Sequence, residues 1–206
     1  MNAIVHHRYG VPPDVLALEE IDRPIVGDDG VLIRVHAAGV SYPDAVMTRG
    51  IPYIVRLVAG LRRPRHSVRG TEVAGTVTEV GARVADLRPG DEVFGWCGRS
   101  ANSGGFAEFA RCPRSTLVRK PPAITFEQAA SLPTSGVTVL QAVRDWARVQ
   151  PGQKVLINGA SGGVGTFAVQ IAKALGAEVT GVCSSPNVDL VRSIGADAVI
   201  DYVITS

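Results

Sequence analysis

Lys154-Val155-Leu156-Ile157-Asn158-Gly159-Ala160-Ser161-Gly162-Gly163-Val164-Gly165 runs an apolar strand into a glycine turn, and an amphipathic helix follows from Thr166 to Leu175. A helix start presents unpaired backbone N–H groups and a partial positive charge, which suits it to hold a pyrophosphate. Positions without side chains at Gly162 and Gly165 let a phosphate approach and let the helix pack close to the strand. Ala160-x-Gly162-x-x-Gly165 keeps the spacing of the dinucleotide fingerprint with Ala in the first place. Ala160, Ser161, Gly162, Gly163, Val164 and Gly165 are therefore the expected cofactor-binding turn.

The flanking sequence supplies the context that a small-residue turn needs. A second apolar run, Glu178-Val179-Thr180-Gly181-Val182-Cys183, follows at the distance of a βαβ unit, and Ala198-Val199-Ile200-Asp201-Tyr202 follows a short helical stretch. Strands and helices alternate from Gln153 onward, which predicts a parallel α/β sheet.

Upstream the period changes. Val31 to Ala37, Glu72 to Val80, Asp91 to Gly95 and Gly105 to Ala110 read as short strands, the last after a Ser/Gly-rich loop. Many short strands with turn punctuation predict a barrel-like or sandwich β-domain. Thr125 caps a helix running toward Pro133, with Glu127 and Gln128 in its first turn, and Ser135 to Arg148 reads as a second helix closed by Pro151-Gly152. The boundary is placed near residue 125, giving a β-domain over 1–124 and an α/β domain over 125–206.

The chain has 206 residues, with 21 Lys+Arg against 19 Asp+Glu and a formal charge of +2. That balance offers no global electrostatic argument for nucleic acid or an anionic membrane, and neither is an expected partner. Apolar runs are too short for a membrane span and the N-terminus lacks a secretory pattern, so a cytoplasmic location is expected. Cys97, Cys112 and Cys183 are odd in number and form no CxxC pair, which predicts reduced thiols. Between Gly50 and Gly70 lie Arg56, Arg62, Arg63, Arg65 and Arg69 with no acid. An anion-binding patch and a solvated loop or short amphipathic helix, Tyr53 to Gly60, are the two readings, the second preferred.

The order of parts resembles the medium-chain dehydrogenase/reductase superfamily, and within it the zinc-free quinone oxidoreductases. The matching stretches are Ala38-Gly39-Val40-Ser41-Tyr42-Pro43-Asp44, Arg49-Gly50, Gly70 to Val77, Pro89-Gly90-Asp91-Glu92-Val93, Gly105 to Glu108, Gly159 to Gly165 and Gly195-Ala196-Asp197. The resemblance implies a chaperonin-10-like β-domain joined to a Rossmann domain, a doubly wound parallel sheet, with the active site between them. Short-chain dehydrogenases fit less well: their glycine turn is N-terminal, and no tyrosine here has Lys four residues on.

Zinc alcohol dehydrogenases of the superfamily place Cys and His where this chain has Ser41 and Thr71. Three scattered cysteines cannot form a four-cysteine structural site, and His6, His7, His36 and His66 show no ligand spacing. No metal is expected. Without a Lewis acid, alcohol oxidation is disfavoured, whereas hydride transfer to an electrophilic quinone or enone needs mainly positioning and exclusion of water. The resemblance implies that Thr138 lies beside the nicotinamide; a Thr bonding back within its own helix is an equal alternative. It also places Tyr42 on the loop facing the nicotinamide, as pocket lining first, plain packing next and general acid last. Asp44 and Glu72 are expected to serve the local structure.

After the second strand, Val182-Cys183-Ser184-Ser185-Pro186-Asn187 contains no acid where NAD-specific sites place Asp or Glu. NADPH is the expected cofactor, with Ser184 and Ser185 donating to its 2′-phosphate, although Pro186 stands where the resembling group often has Arg or Lys. The alternative for this segment is a helix start with Ser185 as N-cap and Pro186 first. By resemblance Tyr202 also reaches the phosphate, and a homodimer is compatible with the group. A complete dinucleotide fold has two mononucleotide halves, so about 100 further residues are expected at roughly 30 or more per unit. The competing expectation is a truncated, non-catalytic relic or a subunit stabilised by pairing its exposed sheet, which at most binds nucleotide.

Overall fold

The computed structural model describes residues 1–97 and 103–204. Most of the Ser/Gly-rich loop before Gly105, and the tail residues Thr205 and Ser206, lie outside the described residues. The chain divides into two compact units, Met1–Pro133 and Thr134–Ser206.

Unit 1 opens with β1 (Asn2–Val5), α1 (Pro12–Val15) and β2 (Ala17–Glu20), and β1 pairs antiparallel with β2. There follow β3 (Gly30–Gly39), α2 (Tyr42–Arg49), α3 (Val55–Ala59), β4 (Glu72–Val80), β5 (Glu92–Trp96), β6 (Phe109–Pro113), β7 (Leu117–Arg119) and α4 (Phe126–Ser131). The main sheet is antiparallel in the order β6-β3-β4-β5-β7. Its alternating inward side chains make the core: Val31, Ile33, Val73, Val93 and Ala110 are fully buried. Each such valine stabilises the fold by about 1.5–2 kcal/mol relative to exposure. Register shifts in β3 at Leu32/Ile33 and Val35/Ala37 are bulges, which bend and twist a sheet that must curl round its core.

α4 begins where Thr125 as cap predicts it, and the cap is part of a capping box. The Thr125 hydroxyl accepts from the Gln128 N–H at 3.2 Å, and the Gln128 side chain accepts from the Thr125 N–H at 3.0 Å. α4 packs on β3 and β4, with Ala129 and Ala130 buried against Ala74. The units accordingly divide after Pro133, later than the change of period at residue 125. The expected strand Gly105 to Ala110 starts only at Phe109. Gly105 and Phe106 instead donate N–H groups to the Gly70 and Arg69 carbonyls, and Ala107 forms a single bridge with Ala3.

Unit 2 begins along α5 (Pro133–Val139) and continues through a π-helical segment, Leu140–Trp146, in which the Ala147 N–H reaches the Ala142 carbonyl at 2.9 Å. Then come β8 (Lys154–Asn158), α6 (Gly163–Ala174), β9 (Glu178–Cys183), a 3₁₀ turn (Ser185–Asn187), α7 (Val188–Ser193) and β10 (Ala198–Asp201). The three strands are parallel in the order β10-β9-β8. Val169, Ala172, Val179 and Val191 form the buried layer between α6, α7 and the sheet. The architecture is a GroES-like β-domain followed by a partial Rossmann-like domain.

Candidate functional site: a glycine turn in one unit and a cavity in the other

β8 stops at Asn158 because Gly159 turns the chain at φ +72°, a conformation that disfavours side chains. The Ala160 N–H crosses to the Val182 carbonyl at 3.0 Å and ties the turn to β9. Gly162 is then the N-cap of α6, and no side chain caps the helix. The intrahelical ladder starts at Thr166, whose N–H donates to the Gly162 carbonyl at 2.9 Å, so the amides of Gly163, Val164 and Gly165 precede it. This is the arrangement that receives an anion.

The glycines divide their work. A Cβ on Gly165 would lie 2.1 Å from the Gly159 carbonyl oxygen and 2.8 Å from Ala160 Cα, so Gly165 is required for α6 to pack on the turn. A Cβ on Gly162 would come no nearer than 3.3 Å to anything, and one on Gly163 no nearer than 3.9 Å, to Ser135 Oγ. Internal packing thus leaves Gly163 open and Gly162 only tightly placed against the Gly159 carbonyl, unlike Gly165.

Because the strands are parallel, their C-terminal ends share one edge, where ligands of such sheets bind. Ala160 to Gly165 follow β8, Ser184 and Ser185 follow β9, and Tyr202 follows β10, its N–H donating to the Cys183 carbonyl at 3.2 Å. Ala160 is buried and structural, whereas Gly162, Gly163, Val164, Ser185 and Tyr202 are exposed. Ser135 adjoins Gly163, and Thr138, three residues along α5 on the same face, is exposed. The expected cap is off by one residue. Ser184, not Ser185, precedes the helical turn, which is 3₁₀, and its hydroxyl oxygen accepts from Asn187 Nδ2 at 3.0 Å. The Ser184 hydroxyl proton is left to donate.

Unit 1 holds a cavity of about 140 Å³, with Met47, Val58, Ala59 and Val68 on its apolar side and Asp44, Arg69 and Thr71 on its polar side. Tyr42 is the first residue of α2, not part of a loop. It is 82 % exposed, and the cavity is walled by Pro43, Asp44 and Met47 of the same helix. α2 forms there because Asp44 Oδ2 accepts from both the backbone N–H and the hydroxyl of Ser41 at 2.9 Å, a cap made by a short acid. Asp44 thus serves the local backbone and also faces the cavity.

Sequence reasoning missed the pair behind that wall. Arg69 Nε donates to His6 Nε2 at 2.5 Å, and an Arg69 Nη group donates to the Met47 carbonyl at 3.3 Å. Burial, reinforced by the Arg69 charge, lowers the His6 pKa to about 4, so the ring stays neutral and accepts from the guanidinium. Burial also lowers the Arg69 pKa from its ordinary value. Only the position of Arg69 next to Gly70 hinted at this, and nothing in sequence connects it with His6.

Among the described residues no group of three His, Cys, Asp or Glu side chains is arranged to hold a metal. The Cys112 thiol beside Cys97, together with burial, holds the Cys97 thiol well above its usual range; a protonated thiol is a poor ligand. His36 stacks on Phe126 and its Nε2 lies 3.0 Å from the Thr76 hydroxyl, a structural role.

Comparison with known proteins agrees with both units. The alcohol dehydrogenase GroES-like domain family matches residues 27–122, and the zinc-binding dehydrogenase family matches residues 163–206. A trans-enoyl reductase of Aspergillus terreus is 40 % identical over 182 residues, covering 86 % of this chain and 50 % of that protein. The quinone oxidoreductase of Coxiella burnetii superposes with a TM-score of 0.87 at 35 % identity, covering 98 % of this chain and 62 % of that one. The Escherichia coli quinone oxidoreductase complexed with NADPH gives a TM-score of 0.84 at 29 % identity, covering 99 % and 59 %. The chain thus spans about half to three fifths of the relatives it matches. With a GroES-like domain followed by the glycine turn of a dinucleotide-binding domain, this chain belongs to the medium-chain dehydrogenase/reductase superfamily.

Proposed function

We propose that the chain is the nucleotide- and acceptor-binding part of a zinc-independent oxidoreductase that transfers a hydride from NADPH to a quinone or an enone. The observation that carries this reading is the shared edge of β8, β9 and β10, which gathers an uncapped helix start, two serines and a tyrosine. The 2′-phosphate preference rests on the absence of any acid from Val182 to Asn187. Similarity to an NADPH-bound quinone oxidoreductase and to a trans-enoyl reductase supports the cofactor and the acceptor class.

Bound NADPH supplies the hydride. The amides of Gly163 to Gly165 hold the pyrophosphate, Ser184 and Ser185 donate to the 2′-phosphate, and Tyr202 flanks it. Thr138 and Ser135 of α5 border the nicotinamide end. In unit 1, the apolar flank of Met47, Val58 and Val68 excludes water around an acceptor while Arg69 and Thr71 offer donors to its carbonyl. Tyr42 borders the entrance to that site. Ser41 and Thr71 replace the zinc ligands of the alcohol dehydrogenases, which supports chemistry without a Lewis acid.

Purified chain incubated with NADPH and 1,4-naphthoquinone, or with an enone, should consume NADPH. Folded protein that binds NADPH without turnover would instead support the second reading, a non-catalytic nucleotide-binding subunit. Tighter binding of NADH than of NADPH would contradict the cofactor assignment.

A further inference from the structure

The modest overall charge conceals a local concentration of two properties. From Ala45 to Thr71 the chain contains no Asp or Glu. Within that span Arg49, Arg62, Arg63 and Arg65 are exposed. The ion pairs of the described arginines lie elsewhere, at Arg83, Arg88, Arg114, Arg119 and Arg144.

Between Arg49 and Arg62 lies a block of large apolar side chains held in solvent. Ile51 is 55 % exposed, Tyr53 70 %, Ile54 71 %, Leu57 63 %, Val58 54 % and Leu61 66 %. A solvated loop gains nothing from six such residues in eleven positions, and a contiguous exposed apolar patch marks an interaction surface. The backbone beneath them is pinned. Arg56 Nε donates to the Gly50 carbonyl at 3.0 Å, its guanidinium lies 4.5 Å from the Tyr9 ring centroid and 4.7 Å from that of Tyr53, and the Tyr9 hydroxyl donates to the Gly60 carbonyl. The apolar residues therefore stay outward.

We propose that this segment, centred on α3, seats the protein on an anionic lipid surface. Tyr53, Ile54, Leu57 and Leu61 enter the headgroup–acyl boundary, while Arg49, Arg62, Arg63 and Arg65 pair with lipid phosphates. A second copy of the chain is a poorer occupant, because a two-fold contact sets the same uncompensated arginines against each other. Nucleic acid accounts for the cations but not for Ile54, Leu57 and Leu61, which give bases no ring to stack on. Val58 and Ala59 of the same helix line the unit 1 cavity, so seating brings that cavity to the lipid surface. The proposal does not depend on the redox reading.

Co-sedimentation of the full chain with vesicles of phosphatidylcholine, with and without phosphatidylglycerol, tests it. The protein is expected to pellet with the anionic vesicles, at least about tenfold more weakly with the neutral ones, and to be released by high salt. The triple variant Arg62→Gln/Arg63→Gln/Arg65→Gln should bind on the order of a hundredfold more weakly, at about fivefold per arginine. The double variant Ile54→Ser/Leu57→Ser should lose roughly tenfold or more with an unchanged circular dichroism spectrum. Failure of folded wild-type protein to bind anionic vesicles would overturn the proposal. So would equal binding to neutral vesicles, full binding by the serine variant, or a duplex oligonucleotide that binds more tightly than the vesicles.

Discussion

The two sheets of this chain use the same alternation of apolar side chains and are covered to different extents. In unit 1, Val31, Ile33, Val73 and Val93 reach full burial within residues 1–133. In unit 2 one face of the sheet is equally dry, with Val179 at 0 % exposure beneath α6 and α7, while on the other face Leu156 is 64 % exposed and Ile200 40 %. Antiparallel sheets need one covered face, whereas parallel sheets in folded proteins are covered on both. Unit 1 satisfies its sheet from its own residues. Unit 2 presents an aliphatic face that favours a neighbour.

The contrast is sharpest at the glycine turn. Gly165→Ala forces a Cβ into the Gly159 carbonyl and should destabilise unit 2 by about 3 kcal/mol or more, read by urea unfolding. Gly163→Ala should leave stability within about 0.5 kcal/mol. Its methyl nevertheless stands where the pyrophosphate is expected, so NADPH affinity should fall. Equal unfolding midpoints for the two variants would contradict the division of labour among these glycines.

Next in size is the comparison of core positions. Val93→Ala in unit 1 should cost roughly 2–3 kcal/mol, through lost transfer energy and the cavity left behind. Leu156→Ala in unit 2 should cost no more than about 0.5 kcal/mol. A large loss at Leu156 would show that its face is covered in solution.

Acid should act on unit 1 through His6. Its folded pKa, about 4, lies below the ordinary 6.5, so between those values the unfolded chain binds the proton that the folded ring refuses. The contribution is full above pH 6.5 and is lost as pH falls toward 4. Wild type should lose roughly 1–3 kcal/mol more than His6→Gln across that window. Parallel pH profiles for the two proteins would show that His6 is not held neutral.

The smallest effect concerns cofactor choice. Ser185→Asp places a carboxylate beside the expected 2′-phosphate and should weaken NADPH binding on the order of tenfold while sparing NADH, with no change in stability. Equal affinity of wild type and variant for NADPH would move the phosphate elsewhere.

Local chemistry explains what the sequence made readable. The run Lys154 to Gly165, the cap at Thr125 and strand Glu72–Val80 each carry their signal within a few residues, and their positions agree with the structure. α2 was missed because the acid three residues after its N-cap Ser41 is the short Asp44 rather than Glu or Gln. The hairpin of β1 and β2 offers only four residues per strand. The Arg69–His6 contact joins residues 63 positions apart, which no periodicity encodes. Burial decided the rest: Ala160 fits the fingerprint yet supports the turn from below, and the outward set of Ile54, Leu57 and Leu61 is a property of the folded surface.

Backbone amide resonances of the ¹⁵N-labelled chain during titration with NADPH test the central claim, that a pyrophosphate rests on the N–H groups opening α6. The largest shifts should fall on Gly162 to Gly165, followed by Ser184 and Ser185. Saturable NADPH binding that leaves those amides unmoved, or no binding by folded protein, would contradict it.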